Sequence, residues 1–208
     1  MKGLLLKDFY MALKYCRVFL FVSVFCIVMS FLDSDNLFLA FYSCMLCGMI
    51  PVSLLSYDER SRWLQYSETM PYSRAQIVSA KYLIGLIAQT TVLLVISAEF
   101  AVRLISAGTF DLGVFITVIL LMLIISLISS SFPLPFIFKF GVEKGRIAYY
   151  IIVGIASAGS VISSNLLTTG VPQNINLNAI LAAVCVGGIG LYALSWYLSI
   201  IFYKNREL

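Results

Sequence analysis

Few residue types in this sequence could carry chemistry. The 208 residues include no histidine, which excludes Ser-His and Cys-His hydrolases, H-E-x-x-H metalloproteases and His-ligated metal sites. Cys44 and Cys47 form a C-x-x-C pair, but no second cysteine pair accompanies them and both lie in an apolar run. We therefore predict no catalytic residue and no metal site. We interpret the five cysteines as buried packing thiols: Cys16, Cys26, Cys44, Cys47 and Cys185.

One oppositely charged pair lies within an apolar stretch. Glu99 and Arg103 have i,i+4 spacing, so on a helix their side chains are neighbours and can neutralise each other. Counted from Lys81 at about 1.5 Å per residue, Glu99 lies roughly 27 Å along the helix, close to the far boundary of a membrane. We predict an ion pair at the outer membrane boundary. Contact with a transported substrate is the alternative.

Residues 57–81 form a charged segment with the composition of a docking surface. Trp63 and Tyr66 have i,i+3 spacing and share one face of a helix, which Met70-Pro71 ends. Ser73 and Gln76 form an S-x-x-Q capping box that predicts the start of the next helix. A short helix that lies between two membrane spans and carries aromatic and charged residues is suited to bind a cytoplasmic partner. A solvated loop with an interfacial tryptophan is the alternative.

Membrane spans must position these residues. Hydrophobic residues make up 61% of the chain and charged residues 12%, whereas average proteins have about 25% charged residues. This composition excludes a soluble enzyme and a nucleic-acid-binding protein. Since a helical span needs about 20 apolar residues, we predict an all-α integral membrane protein with six transmembrane helices in one domain over residues 1–208. We expect Pro133 and Pro135 to bend or end the fourth span. The predicted spans are 18–32, 37–57, 82–105, 112–132, 147–162 and 179–203.

The basic residues predict the orientation of these spans. With six spans, thirteen of the fourteen lysines and arginines fall on one side, and Arg103 is the exception. Because cytoplasmic loops are enriched in lysine and arginine, both termini are predicted to be cytoplasmic. We expect seven of these residues to lie at the membrane interface, with their charged ends at the lipid headgroups. They are Lys7, Lys14, Arg17, Lys81, Lys139, Lys144 and Arg146.

Three segments together resemble a known family. They are Met1-Lys-Gly-Leu-Leu-Leu-Lys-Asp-Phe9, the pattern Asp58-Glu59…Trp63…Tyr66…Met70-Pro-Tyr-Ser-Arg74…Ile77-Val78…Lys81-Tyr82, and Pro135-Phe-Ile-Phe-Lys-Phe-Gly-Val-Glu-Lys-Gly-Arg146. In this combination the chain resembles the ABC-2 type permeases of bacterial ABC exporters over its whole length.

The resemblance implies an N-terminal interfacial helix at 1–17 and a cytoplasmic coupling helix between the second and third spans. Leu5, Phe9, Ala12 and Leu13 would then face one side of the interfacial helix, with Lys7 and Lys14 opposite. The coupling helix of the family binds the ATPase subunit. The residues that this implies for ATPase coupling are Asp58, Glu59, Arg60, Arg62, Trp63, Tyr66, Pro71 and Arg74.

The resemblance also implies partners. The chain has no G-x-x-x-x-G-K-[ST] motif, so we expect no cofactor here, and ATP and Mg²⁺ on a separate ABC ATPase present in two copies. A second permease, either an identical chain or a paralogue, would complete the transporter in the bacterial inner membrane.

The resemblance implies that the chain is part of an exporter. Because charges are so scarce in the spans, a hydrophobic or amphipathic cargo, such as a membrane-active peptide, a drug or a lipid-like compound, fits better than a sugar or an ion. An ATP-independent channel or secondary carrier is one alternative. A non-transporting membrane immunity protein is another.

Overall fold

Every regular element in the described part of the chain is a helix. The structure, a computed structural model, describes residues 2–32, 38–67, 69, 71–106, 108, 111–145, 147, 150–151 and 177–205. Its helices are α1 (Lys2–Tyr15), α2 (Arg17–Leu32), α3 (Phe38–Gly48), α4 (Ile50–Arg60), α5 (Trp63–Ser67), α6 (Arg74–Ser106), α7 (Leu112–Ser131), α8 (Pro133–Phe140) and α9 (Leu177–Lys204).

Four helical segments in the described ranges are long and apolar enough to cross a membrane: Phe38–Arg60, Arg74–Ser106, Leu112–Phe140 and Ala183–Lys204. The α1 and α2 helices, bent by 67° at Cys16, make a fifth if the pair counts as one span. The protein is therefore an all-helical, multi-pass membrane protein. Most of the predicted span 147–162 lies outside the described residues, so the count of six stays a prediction.

Prolines explain where two of these segments are broken. The α3 helix ends before Met49, and Pro51 lies in the first turn of α4, where a missing backbone N–H costs least. The α7 helix ends at Ser131, and Pro133 opens α8 after a single intervening residue. The expected break at Pro133 is confirmed, and the helical path continues to Phe140, beyond the predicted end of the fourth span.

The α6 helix, in contrast, is unbroken. Its 33 residues correspond to about 50 Å, which exceeds the roughly 30 Å of a bilayer's hydrocarbon core. The α6 helix is thus longer than this core is thick, and it connects the segment after α5 with the opposite end of the protein.

Buried polar contacts join α6 to α9. The Tyr82 hydroxyl lies 2.7 Å from Oγ of both Ser195 and Ser199, and its ring stacks on Trp196 with a centroid distance of 5.5 Å. Trp196 Nε1 donates to Ser79 Oγ at 3.1 Å. Because lipid cannot satisfy these polar groups, their partners must come from neighbouring helices, and this fixes how α6 and α9 pack.

The α6 helix joins α7 in a similar way. Gln89 Nε2 donates to the Ser126 carbonyl at 2.9 Å and to Ser130 Oγ at 3.0 Å. A side chain at Gly48 would meet Ser129, since a Cβ built there lies 2.5 Å from Ser129 Oγ. Glycine is therefore required where α3 approaches α7.

Gly85 tests the packing of α6 against the broken span. A Cβ at this position lies 2.6 Å from Pro51 Cγ, and the proline ring cannot rotate away. We expect Gly85→Ala to destabilise the purified protein by about 1–3 kcal/mol through overpacking, measured as a lower thermal midpoint in detergent. Gly187→Ala on α9 is the matched control, because a Cβ there meets no atom of the described residues within 4 Å. Equal midpoints for the two variants would contradict the close contact.

Candidate functional site

Reciprocal hydrogen bonds fix the start of α6. Gln76 N donates to Ser73 Oγ at 3.3 Å, and Ser73 N donates to Gln76 Oε1 at 3.1 Å. The predicted capping box is therefore confirmed. It satisfies two backbone donors that the first turn of a helix leaves without partners, so α6 begins cleanly after the α5 segment.

The α5 helix is held at its start by a left-handed residue. The Ser61 and Arg62 amides donate to the carbonyls of Tyr57 and Glu59 and so end α4. Arg62 then has φ 55°, the left-handed region that a non-glycine residue seldom adopts. This reversal turns the chain from α4 into α5 and leaves the Arg62 side chain exposed.

Beneath α5 lies a cluster of four charges, Lys7, Asp8, Asp58 and Lys81, which we name the charge tetrad. Lys81 Nζ lies 2.7 Å from Asp8 Oδ1 and 2.5 Å from Asp58 Oδ2. Lys7 Nζ lies 2.9 Å from Asp58 Oδ1 and 3.4 Å from Asp8 Oδ1. The tetrad thus connects α1, α4 and α6, whose residues are far apart in the sequence.

The tetrad can be buried because its formal charges cancel. Asp8, Asp58 and Lys81 are each only 1% exposed. A single charge at such a depth is unfavourable, whereas each member here faces a group of opposite sign. Removing one partner of a buried ion pair typically costs about 3–5 kcal/mol, because the other charge is left uncompensated. The tetrad therefore requires that α1, α4 and α6 stay together.

Lys7 extends the tetrad to α5. Its ammonium lies 3.9 Å from the centroid of the Trp63 ring, within the range of a cation–π interaction. Trp63 in turn packs against Tyr66 with a centroid distance of 5.6 Å. The lower side of α5 is thus fixed to α1, and Tyr66, 57% exposed, lies on its accessible surface.

The segment after α8 is bound to the same region. Val142 N donates to Glu59 Oε2 at 2.8 Å. Gly141, with φ 86°, ends α8 in a conformation that glycine adopts without strain. Glycine is required at position 145 because the backbone there lies close to α8, and a Cβ would be 2.8 Å from Ile137 Cα. The tight turn expected at these two glycines is confirmed.

A polar cleft of about 410 Å³ opens between the end of α4 and this turn. It is lined by Ser56, Glu59, Arg60, Phe140, Gly141, Val142, Glu143 and Lys144. Its charged side chains have both signs, so it is suited to a polar protein surface rather than to an apolar ligand.

Arg74 binds the end of the last helix. Its Nη1 donates to the Lys204 carbonyl at 3.0 Å and to the Tyr203 carbonyl at 3.4 Å. These are among the carbonyls that a helix C-terminus leaves without partners, and a cation there also interacts favourably with the helix dipole. The predicted role of Arg74 in the turn into α6 is thus accompanied by a contact with α9.

Four of the residues considered for ATPase contact are exposed in the structure: Arg60, Arg62, Tyr66 and Pro71. Glu59, Trp63 and Arg74 are half-buried. Asp58 differs from the expectation of a direct partner contact, since it is buried and its carboxylate is occupied by Lys7 and Lys81. Its place in the site is beneath the surface.

Among the lysines and arginines expected at the lipid interface, some are likewise exposed and others are buried. Lys14, Arg17, Lys139 and Lys144 are exposed. Lys81 is instead buried in the tetrad, and Lys7 is half-buried with its ammonium directed into the tetrad. The cause is pairing with Asp8 and Asp58, which removes the need for either lysine to reach the headgroups. Arg146 lies outside the described residues.

Sequence reasoning missed Asp8 as a site residue. Asp8 lies on the buried face of α1 together with Leu4, opposite an exposed face formed by Leu6, Phe9 and Leu13. An acidic residue within an apolar helical pattern was the available signal, because such a residue needs a buried basic partner. Lys81, on α6, is that partner.

Arg103 and Glu99 form an ion pair near the far end of α6. Arg103 also donates to the carbonyl and to Oγ of Ser30 near the C-terminus of α2, where helix carbonyls lack partners. Both charged side chains are largely buried. The pair therefore connects α6 to α2.

The five cysteines are buried and free. Within the described ranges, no group of three or more Cys, Asp or Glu residues is arranged to hold a metal ion. The charge tetrad and α5 are thus the strongest candidate for a functional site.

Arg62 provides a test of the turn that positions α5. Because glycine adopts a positive φ without strain and alanine does not, we expect Arg62→Gly to be more stable than Arg62→Ala by about 1 kcal/mol. The thermal midpoints of the two purified variants give the comparison. The same pair at Arg60 is the control, since Arg60 is helical and alanine is favoured there. An Arg62→Ala variant as stable as Arg62→Gly would contradict the left-handed turn.

Comparison with known proteins identifies the family. The family model described as ABC-2 family transporter protein matches residues 3–204. No curated protein and no solved structure matches the chain. Since the match covers nearly the whole sequence, including α1, the α5 segment and α9, the chain belongs to the ABC-2 transporter family, whose members are the membrane subunits of ABC transporters.

Proposed function

We propose that this chain is the permease subunit of an ATP-driven bacterial exporter and that α5 binds the ATPase subunit. The observation that carries the proposal is the arrangement of the α5 segment. Arg60, Arg62 and Tyr66 are all exposed, while the charge tetrad, through Lys7, holds the buried side of the segment. Two arginines just before a fixed short helix and a tyrosine on it suit a protein interface, in which tyrosine and arginine contribute much of the binding energy.

ATP and Mg²⁺ bind the partner ATPase in this proposal, because the sequence has no phosphate-binding loop. Two ATPase subunits require two docking surfaces, and this chain supplies one. A second permease, identical or paralogous, supplies the other. The polar cleft beside Glu59 and Lys144 adds a second contact with the ATPase, on the same side as α5.

The complex lies in the bacterial inner membrane with both termini of the chain in the cytoplasm, as the distribution of basic residues favours. The exposed basic residues Lys14 and Arg17 then bind lipid phosphates. The exposed apolar face of α1, formed by Leu6, Phe9, Tyr10 and Leu13, lies in the inner leaflet.

Tyr66→Ala tests the docking surface. We expect the affinity for the ATPase encoded beside this gene to fall about tenfold or more, since tyrosine is a frequent hot spot of interfaces. The affinity is measured by titrating the purified ATPase into nanodiscs that contain the permease. Phe38→Ala is the control. Phe38 is 70% exposed but begins α3, about 33 Å of helix from Arg60.

Unchanged affinity in Tyr66→Ala would contradict docking on α5. A wild-type chain that binds no ATPase, and that transports in liposomes without ATP, would instead identify a secondary carrier or channel. A chain that does neither but binds a toxin would identify an immunity protein.

A hydrophobic or amphipathic cargo is the second part of the proposal. An apolar groove of about 460 Å³ lies between α8 and α9. It is lined by Ser131, Phe132, Pro135, Phe136, Lys139, Phe140, Leu191, Leu194, Ser195, Leu198 and Phe202. Lys139 is the one cation among the described lining residues, and its ammonium lies 5.0 Å from the Phe140 and Phe202 ring centroids. An apolar surface with one charged end complements an amphipathic molecule with an acidic group.

Leu194→Gln tests the groove as a cargo contact. An amide without a partner in an apolar site is unfavourable, so we expect ATP-driven uptake of a rhodamine-labelled amphipathic peptide into inside-out vesicles to fall about tenfold, or about 1.4 kcal/mol. Ile189→Gln is the matched control, because both side chains lie on α9 and are 58% exposed, but only Leu194 lines the groove. Equal uptake by the two variants would show that the groove does not contact the cargo.

A further inference from the structure

The charge tetrad provides a connection between the ATPase-binding surface and the N-terminal helix. We propose that Lys7 and Asp8, together with Asp58 and Lys81, are positioning residues that pass a displacement of α5 to α1. The α1 helix would then act as a moving wall of an apolar cleft. This inference rests on the proposed docking of an ATPase on α5, and it adds a path by which that docking reaches the membrane part of the protein.

The contact between α5 and α1 is direct. Lys7 belongs to α1, and its ammonium lies 3.9 Å from the Trp63 ring centroid of α5. The same ammonium lies 2.9 Å from Asp58 at the end of α4. Leu4 of α1 belongs to the buried apolar cluster against which Trp63 also packs. A movement of Trp63 therefore changes contacts that α1 makes through both a charge and an apolar side chain.

The tetrad prevents α1 from separating from the start of α6. Asp8 and Lys81 are both about 1% exposed and lie 2.7 Å apart. A separation of the two would leave each charge buried without its partner, which is strongly unfavourable. Since α1 cannot detach cheaply, a displacement at its Lys7 side shifts the helix as a body. A purely apolar contact, which is not directional, would allow α1 to slide.

The opposite surfaces of α1 show what such a shift would change. Phe9, Ala12 and Leu13 form one wall of an apolar cleft of about 190 Å³. The other walls come from Leu20 of α2, Ile50 of α4, and Ile84, Ile87, Ala88, Thr91 and Val92 of α6. Because α1 contributes one side and two membrane-capable segments contribute the opposite sides, movement of α1 changes the width of the cleft.

A static role for the tetrad is the competing explanation, in which the ion pairs stabilise the fold and transmit nothing. The two roles differ in their effect on coupling. A static role predicts that variants which still fold transport the same amount of cargo for each ATP hydrolysed. A transmitting role predicts that this ratio falls while ATPase binding is retained, because Arg60, Arg62 and Tyr66 are outside the tetrad.

Lys7 is the residue with which to separate these roles, since its side chain is 23% exposed and its loss leaves the buried pairs of Lys81 in place. In vesicles containing the complete complex, measured at ATPase concentrations that saturate both variants, we expect Lys7→Met to transport about tenfold less labelled amphipathic peptide per ATP hydrolysed than the wild type. Lys7→Arg keeps the charge and the contact with the Trp63 ring, and we expect it to restore most of the ratio. Lys14→Met on the same helix is the matched control, because Lys14 is exposed and outside the tetrad.

A Lys7→Met complex with the same transport per ATP as Lys14→Met would overturn the inference. Failure of Lys7→Arg to restore coupling would also overturn it, since the charge would then not be the operative feature. Where Lys7→Met does not assemble, the exchange Asp8→Lys with Lys81→Asp provides the second measurement. Restored transport relative to Lys81→Asp alone is expected, and none would contradict the role of the pair. Failure of the wild-type chain to bind an ATPase would contradict the proposed function itself.

Discussion

The buried ion pairs of the charge tetrad constrain the end of this protein that carries α5. Two lysines and two aspartates from α1, α4 and α6 compensate one another's charges at this depth. The position of α1, the start of α6 and the base on which α5 lies all follow from this requirement. Stability alone does not explain such an arrangement, because well-packed apolar residues often stabilise a protein as much. Directional charges add a fixed geometry between elements that are distant in the sequence.

The membrane part combines broken and unbroken helices. The α3–α4 and α7–α8 segments are interrupted at Met49 and Phe132, whereas α6 runs without interruption for 33 residues. The α6 helix carries Lys81 of the tetrad near its N-terminal end and Arg103, bound to Ser30 of α2, near its C-terminal end. Between these contacts it donates to α7 through Gln89 and packs on α9 through Tyr82. It is therefore the element through which a shift at the tetrad would reach the other helices.

Local features of the sequence predicted much of this structure. The capping box of Ser73 and Gln76, the break at Pro133 and the turn at Gly141 depend on neighbouring residues, so a short stretch of sequence is sufficient to specify them. The tetrad depends on ion pairs between residues 51 and 73 positions apart, and no local pattern reveals such pairs. A lysine next to an apolar stretch is therefore interpreted as an interfacial residue, as Lys81 was. Asp8 was the available indication that buried basic partners exist, because an acidic residue on an apolar helix face requires one.

The distance between α1 and α6 across the apolar cleft provides the most direct test of transmission. Spin labels at Leu13 and Ile87, which both line the cleft and are about half exposed, report this distance by pulsed electron paramagnetic resonance in the complex with its ATPase. The account predicts different distance distributions in the nucleotide-free complex and in the complex trapped with ATP and vanadate, and a smaller difference in Lys7→Met. Identical distributions in the two nucleotide states of a transporting wild-type complex would contradict the proposed movement of α1.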